Sequence, residues 1–125
     1  MLRVYKTRHF FRWMRKTDLT DDALYKAVQE MVQGLIDADL GGGVVKKRVG
    51  LAGRGKSGGA RTLVATNKGN QWFFVFGFEK NERANISEQE KVTIQVLAQS
   101  LLSHTSEQLA AAIKDGALQE VSYDC

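Results

Sequence analysis

Apolar residues recur at helical spacing in four segments of the chain. Two of these segments lie near the N-terminus, and the second follows Thr20, whose hydroxyl suits the N-cap position of a helix. The other two each begin with a capping box, a hydroxyl residue followed three positions later by Glu or Gln, at Ser87 and Thr105. The pattern predicts helices over residues 9–16, 21–34, 88–103 and 106–114.

Apolar runs of strand length separate the two pairs of helices, and the strongest is Gln71–Glu79. Its four even-numbered aromatic residues should share one face, with Phe73, Val75 and Gly77 on the other. Two apolar faces are typical of a central strand that is covered on both sides. The turn signal at residues 67–70 predicts an antiparallel hairpin with the run before it. The predicted strands span residues 2–7, 44–49, 60–66, 71–79 and 117–122, and residues 37–43 and 50–59 are predicted as loops.

This order of elements predicts an α+β fold, in which helices pack on an antiparallel sheet. A length of 125 residues fits a single domain over residues 1–125. No apolar run approaches the ~20 residues of a membrane span, so no membrane partner is expected. The single cysteine, Cys125, cannot form an internal disulfide, which favours a reducing, cytoplasmic setting.

Positive charge is concentrated in one glycine-rich segment, Val44–Thr66. Six Lys and Arg residues and no acidic residue lie in this segment, and eight of the chain's 12 glycines lie between residues 41 and 59. Such a cluster of like charge is costly to bury but is stabilised opposite phosphate groups. Glycine also lets the backbone approach a ligand closely. The segment therefore indicates a phosphate-bearing partner such as a nucleic acid, although a hairpin kept soluble by its lysines would have a similar composition.

Residues 50–57, GLAGRGKS, match the nucleotide-binding P-loop pattern G-x-x-x-x-G-K-[ST]. That motif acts only where the Ser or Thr opens a helix whose amides face the phosphate. Here Gly58 and Gly59 follow, and Thr62 and Val64 then disfavour a helix. We therefore expect no nucleotide P-loop, while phosphate binding by the same residues stays open.

The predicted hairpin brings further cations toward Arg61. Because its two strands run in opposite directions, Lys80 at the end of one should lie near Arg61 at the start of the other, with Arg83 close behind. Small residues before Arg61 leave its guanidinium room for a bidentate phosphate contact. A solvated strand end is the alternative for Lys80 and Arg83. Since His9 and His104 have no Cys or His cluster around them, no metal site and no cofactor are predicted.

Three segments together make the chain similar to a known family. GRGKSGGARTLVA, GFEKNERANIS and the closing GALQEV resemble toxins of the RelE/ParE superfamily, and within it the RelE/HigB-like toxins of type II toxin–antitoxin systems. The resemblance extends from about Arg3 to Val121. It implies two N-terminal helices against a curved antiparallel sheet, and a cytoplasmic prokaryotic protein that a cognate antitoxin neutralises.

The resemblance also implies a site. RelE-like members cleave mRNA, usually on the ribosome and without a metal, and their catalytic strand arginine matches Arg61. Their loop and strand-end lysines match Lys56 and Lys80, and Tyr123 is the candidate for the C-terminal residue that stacks on a base or transfers a proton. The expected catalytic residues are Arg61, Lys56 and Lys80, and the expected phosphate contacts are Lys47, Arg48, Arg54, Ser57 and Arg83.

The expected reaction is attack of a ribose 2′-OH on the adjacent phosphorus, which leaves a 2′,3′-cyclic phosphate and a 5′-hydroxyl. Arg61 would stabilise the negative charge of the transition state. Lys56 or Lys80 would serve as the base, because neighbouring cations favour the neutral amine. Two alternatives stay open, namely a ParE-type poison of DNA gyrase, which needs no transition-state cations, and a nucleic-acid-binding module without catalysis.

Overall fold

The computed structural model describes residues 2–51 and 55–122, with the side chains of residues 51–58 outside the description. The described elements, in chain order, are β1 (Arg3–Thr7), α1 (Arg8–Met14), α2 (Asp21–Val32), β2 (Ala38–Gly41), β3 (Val44–Leu51), β4 (Gly55–Thr66), β5 (Gln71–Glu79), α3 (Glu88–Leu102), α4 (Ser106–Asp115) and β6 (Leu118–Glu120). Within these ranges no helix has the length and apolar character needed to cross a membrane.

The strands form one six-stranded sheet in the order β2-β3-β4-β5-β1-β6. Neighbouring strands are antiparallel except β1 and β5, which run parallel. A parallel pair needs a long connection, and here helices and three strands separate the two partners along the chain. The predicted α+β fold is confirmed, with one parallel pair in an otherwise antiparallel sheet.

A hydrophobic cluster covers each face of the sheet. On the first face, α1 and α2 pack over residues that include Trp72 and Phe74. On the second face, α3 and α4 pack over residues that include Phe73 and Val75. Since β5 contributes buried side chains to both clusters, the prediction of a strand covered on both sides is confirmed.

A β-bulge changes which aromatic residues of β5 share a face. The register between β4 and β5 shifts, so that Leu63 pairs with Phe76 while the next residue, Val64, pairs with Phe74. Phe76 therefore packs on the second face and Phe74 on the first. The predicted single face of four aromatic residues is wrong, because the extra residue of a bulge inverts the alternation beyond it.

Most of the segment predicted as a glycine loop is strand. β3 continues to Leu51 and β4 starts at Gly55, and β2 lies where residues 37–43 were expected to form a loop. Gly59 explains the close pairing, because a Cβ there would lie only 2.2 Å from the carbonyl oxygen of Val49. The backbone of Lys56 and Ser57 thus belongs to a strand, so these residues do not begin the helix that a P-loop requires.

Four predicted signals at helix ends are confirmed, whereas α1 and α2 end at Met14 and Val32, two residues before their predicted ends. Ser87 and Thr105 each complete a capping box, and the hydroxyl of Thr20 accepts the N–H of Ala23. Gly116 ends α4 in the left-handed conformation, at φ 83°.

The first helix lies along β5 where its strand partner stops. β1 pairs with β5 only over residues 71–74, and α1 continues from β1 beside the remainder of β5. The Trp13 ring of α1 lies against Gly77, so close that a Cβ on Gly77 would be 2.3 Å from the ring. The His9 ring of the same helix stacks on Phe76, with the centroids 5.5 Å apart. The helix thereby covers part of the strand edge and brings His9 to the second face.

Candidate nucleic-acid interface

Alternation along β3 separates three consecutive cations. Val45 and Val49 belong to the cluster on the first face. Because strand side chains alternate, Lys47 shares that face, whereas Lys46 and Arg48 point to the second. The sequence KKR therefore does not form one patch.

Lys47 is a buried anchor for α2. It retains only 4% of its accessible surface. Its Nζ lies 2.9 Å from Glu30 Oε1 and donates to the carbonyl oxygen of Leu35 at 2.8 Å. Lys6 holds the same helix in the same way, through Asp21 at 2.6 Å. The expected RNA contact of Lys47 does not fit this position, because its ammonium is enclosed and paired on the face opposite the other cations.

Two arginines lie side by side on the second face. Arg48 on β3 is directly opposite Arg61 on β4, an arrangement that is destabilising for like charges. Asp37 offsets this repulsion at Arg48. One carboxylate oxygen of Asp37 lies 3.2 Å from Arg48 Nε, and the other accepts the backbone N–H of Arg48 at 2.7 Å. Asp37 is thus the counter-ion of Arg48, one of the two arginines.

The guanidinium of Arg61 is held in place without a counter-ion among the described side chains. It is partly buried and donates to the carbonyl oxygen of Gly59 at 3.3 Å. The ion pairs of the described residues engage Arg48 but not Arg61. A half-buried cation beside a second cation favours the binding of an anion, since an anion would relieve both.

The register is consistent with the predicted approach of Lys80 to Arg61. Phe78 pairs with Arg61 and Glu79 with Ala60, so Lys80 follows directly after the last pair of the hairpin. Lys80 is exposed. Arg48, Arg61 and Lys80, which we call the cation cluster, therefore lie at one end of the sheet.

Arg83 is bound to α3. Its guanidinium makes a bidentate contact with Glu90 and lies 5.9 Å and 5.8 Å from the ring centroids of Phe76 and Phe78. The hydrogen bonds from Arg83, with the backbone N–H of Ser87, lower the pKa of Glu90 to about 2. The guanidinium is therefore engaged by a carboxylate, rather than free for the phosphate contact that was expected of it.

The loop that carries Lys80 is fixed at further points. Glu82 Oε1 accepts the N–H of Glu79 at 2.6 Å and that of the Trp13 indole at 3.3 Å. Asn85 accepts from the ammonium of Lys46 at 3.3 Å. These contacts join the β5–α3 loop to α1 and β3, which restricts where Lys80 can lie.

Four of the expected site residues are not placed. Arg54 and Tyr123 lie outside the described residues, and so do the side chains of Lys56 and Ser57, whose backbone belongs to β4. Their expected roles stay predictions.

The expected site residues included neither Lys46 nor His9. For Lys46 the signal was available, because alternation in VVKKRV assigns Lys46 and Arg48 to one face once Val45 and Val49 are taken as buried. For His9 no local signal exists, since its approach to Phe76 depends on α1 lying along β5 and on the bulge.

Comparison with known families gives a match over almost the full sequence. Residues 2–121 match the family described as RelE toxin of RelE / RelB toxin-antitoxin system. This range covers nearly the whole chain, including every described element. No curated protein matches the sequence significantly.

Proposed function

The chain belongs to the RelE toxin family, and we propose that this toxin is an endoribonuclease, which cleaves mRNA on the ribosome in the cytoplasm and so stops translation. The family implies that an antitoxin is its protein partner. The proposal concerns the activity, the RNA substrate and the residues that act on it.

The observation that carries the proposal is the guanidinium of Arg61, held beside Arg48 with no described carboxylate paired to it. Cleavage of RNA passes through a pentavalent phosphorus that carries more negative charge than the substrate. Fixed cations bind this state more tightly than the ground state, and that difference lowers the barrier. Arg61 is the proposed stabiliser, and Arg48 strengthens the local positive potential.

The proposed step balances without an external reactant. A base takes the proton of the ribose 2′-OH, the 2′-oxygen bonds to the adjacent phosphorus, and the bond from phosphorus to the 5′-oxygen breaks. A proton then passes to the leaving 5′-oxygen. The products are a 2′,3′-cyclic phosphate and a 5′-hydroxyl, and Lys56 and Lys80 are the two candidate bases.

Transcript-end mapping after induction in a bacterial host tests the proposal. Wild-type protein should create new 5′ ends within coding regions, and these ends should carry a hydroxyl that must be phosphorylated before ligation. An Arg61→Ala variant should lack these ends. A Lys68→Ala variant is the matched control, because Lys68 is an exposed cation in the turn at the other end of the β4–β5 hairpin, paired with Asp39 at 2.7 Å.

The alternatives predict different outcomes of the same experiment. A gyrase poison would cause DNA breaks and leave transcripts intact. A binding module would retain RNA with a steep salt dependence and create no new ends. Either result would refute the nuclease.

A further inference from the structure

A groove of about 430 Å³ lies on the second face of the sheet, between α1, β5 and α3. This volume falls within the ~300–1,000 Å³ of typical small-ligand sites. The buried side chains of Val75 and Ile94 form its floor. The exposed Gln89 and Thr93 offer it amide and hydroxyl groups. An apolar floor with a polar rim suits a flat, heteroaromatic group.

Aromatic rings connect this groove to Arg61. Phe78, the cross-strand neighbour of Arg61, lies 6.4 Å from Phe76 between ring centroids. Phe76 lines the groove and stacks on His9, with 5.5 Å between the centroids and 8° between the ring planes. His9 is exposed and also lines the groove. An RNA strand with a phosphate at Arg61 therefore has a stacking surface that is separated from this arginine by the rings of Phe78 and Phe76.

The charge of the groove is compatible with RNA. Among its lining residues, Glu90 is the only carboxylate, and Arg83 neutralises it by a bidentate contact. The groove thus presents no free negative charge to a polyanion from its described lining.

We propose that this groove binds one nucleobase of the RNA, from a nucleotide next to the cleaved phosphate, with the base stacked against the imidazole of His9. The inference rests on the proposed function, because it takes the RNA strand to lie across the cation cluster. Stacking on an aromatic ring tolerates every base, whereas Gln89 and Thr93 can discriminate between base edges by hydrogen bonding.

Abasic scanning of an RNA ligand tests the groove. The probe is a short, labelled 2′-O-methyl oligonucleotide, which cannot be cleaved, and one nucleotide at a time is made abasic. Binding of the protein is measured with the oligonucleotide free in solution and with the oligonucleotide loaded on ribosomes. For wild-type protein, one position should weaken binding by about five- to 150-fold, the effect of one base stacked on an aromatic ring. His9→Ala should abolish that position-specific loss, and His9→Phe should retain it.

The remaining histidine supplies the matched control. His104 is partly exposed and lies just after the far end of α3, where its Nδ1 is 2.6 Å from the carbonyl oxygen of Ser100. His104→Ala should behave as wild type. The proposal is overturned if no abasic position stands out, or if His9→Ala shows the same loss as wild type. It is also overturned if His9→Ala binds RNA normally but is neutralised less well by the antitoxin, which would assign the groove to the protein partner.

Failure of the groove and failure of the nuclease give different results. Wild-type protein that cleaves unmodified RNA without an abasic effect lacks the base site but keeps its activity. Wild-type protein that shows the abasic effect but never cleaves unmodified RNA keeps the base site and is not a nuclease.

Discussion

The two faces of the sheet use cations in opposite ways. On the first face, Lys6 and Lys47 are buried and each holds a carboxylate of α2, at 2.6 Å and 2.9 Å. On the second face, Arg61 is partly exposed, lies beside Arg48, and has no carboxylate partner among the described side chains. The first arrangement satisfies its charges internally, whereas the second leaves charge for a ligand.

This difference shows that burial and pairing, rather than residue type, separate a structural cation from a candidate binding residue. Lys46, Lys47 and Arg48 are adjacent in the chain, yet only the middle one is enclosed. A buried ammonium requires its partner, because an unpaired charge in the interior is costly. An exposed cation carries no such requirement and can exchange water for phosphate.

Loss of the Lys47 ammonium should have the largest effect on stability. We expect Lys47→Ala to lower the free energy of unfolding by about 3 kcal/mol, because it breaks the buried ion pair between Lys47 and Glu30. This value is the lower end of the range for breaking a buried ion pair, and it applies because the Glu30 side chain retains 22% of its accessible surface. Urea denaturation followed by circular dichroism measures this change.

Its neighbour Lys46 provides the control. Lys46→Ala removes a cation from the second face and a contact with Asn85 only, so the change should stay within about 0.5 kcal/mol. The double variant Glu30→Ala, Lys47→Ala should be less destabilised than the sum of the single variants. Equal effects of Lys46→Ala and Lys47→Ala would remove the distinction between the two faces.

Arg61→Ala should have the largest effect on activity. We expect cleavage to fall on the order of a hundredfold or more, the loss typical of one transition-state donor, with the unfolding curve close to wild type. Arg61→Lys should restore only part of the rate, because an ammonium cannot make the bidentate contact. Rates on unmodified RNA and growth after induction measure the effect. Wild-type toxicity of Arg61→Ala would exclude this residue from the site.

Lys80→Ala should have a smaller effect, seen best in the salt dependence of RNA binding. If its ammonium contacts one phosphate, the slope of log affinity against log salt should decrease by about 1. Lys68→Ala should leave the slope unchanged, since Lys68 lies at the opposite end of the hairpin. An unchanged slope for Lys80→Ala would place Lys80 outside the RNA path.

Local signals in the sequence were sufficient for most of the fold. The capping boxes at Ser87 and Thr105, the stop at Gly116 and the turn before β5 all act through neighbouring residues, and each lies where it was predicted. The bulge and the parallel pairing of β1 with β5 were not predicted, because they depend on contacts between segments distant in the chain.

The candidate site was predictable only in part for the same reason. The hairpin register brought Lys80 toward Arg61 as expected. The ion pair of Lys47 with Glu30 was not predicted, because local patterns do not show which strand the helix of Glu30 packs on. The ion pair of Arg83 was also not predicted, since Glu90 already had a local role in the capping box of α3.

The smallest effect concerns Arg83, which resembles the paired cations of the first face although it lies on the second. Its hydrogen bonds lower the pKa of Glu90 from 4.5 to about 2, so the native state holds this carboxylate ionised more strongly than the unfolded state does. The stabilisation is complete above pH 4.5 and is lost as the pH falls toward 2. Arg83→Ala should therefore raise the pKa of Glu90 toward its ordinary value, and the stability difference from wild type should shrink across this pH window. Carboxyl-carbon NMR titration and urea denaturation at several pH values measure both effects. Glu88→Gln is the matched control, because the Glu88 side chain lies on the same helical turn with 88% of its surface accessible. A Glu90 titration near 4.5 in the wild type would show that the pair does not form, and would return Arg83 to the cations available for RNA.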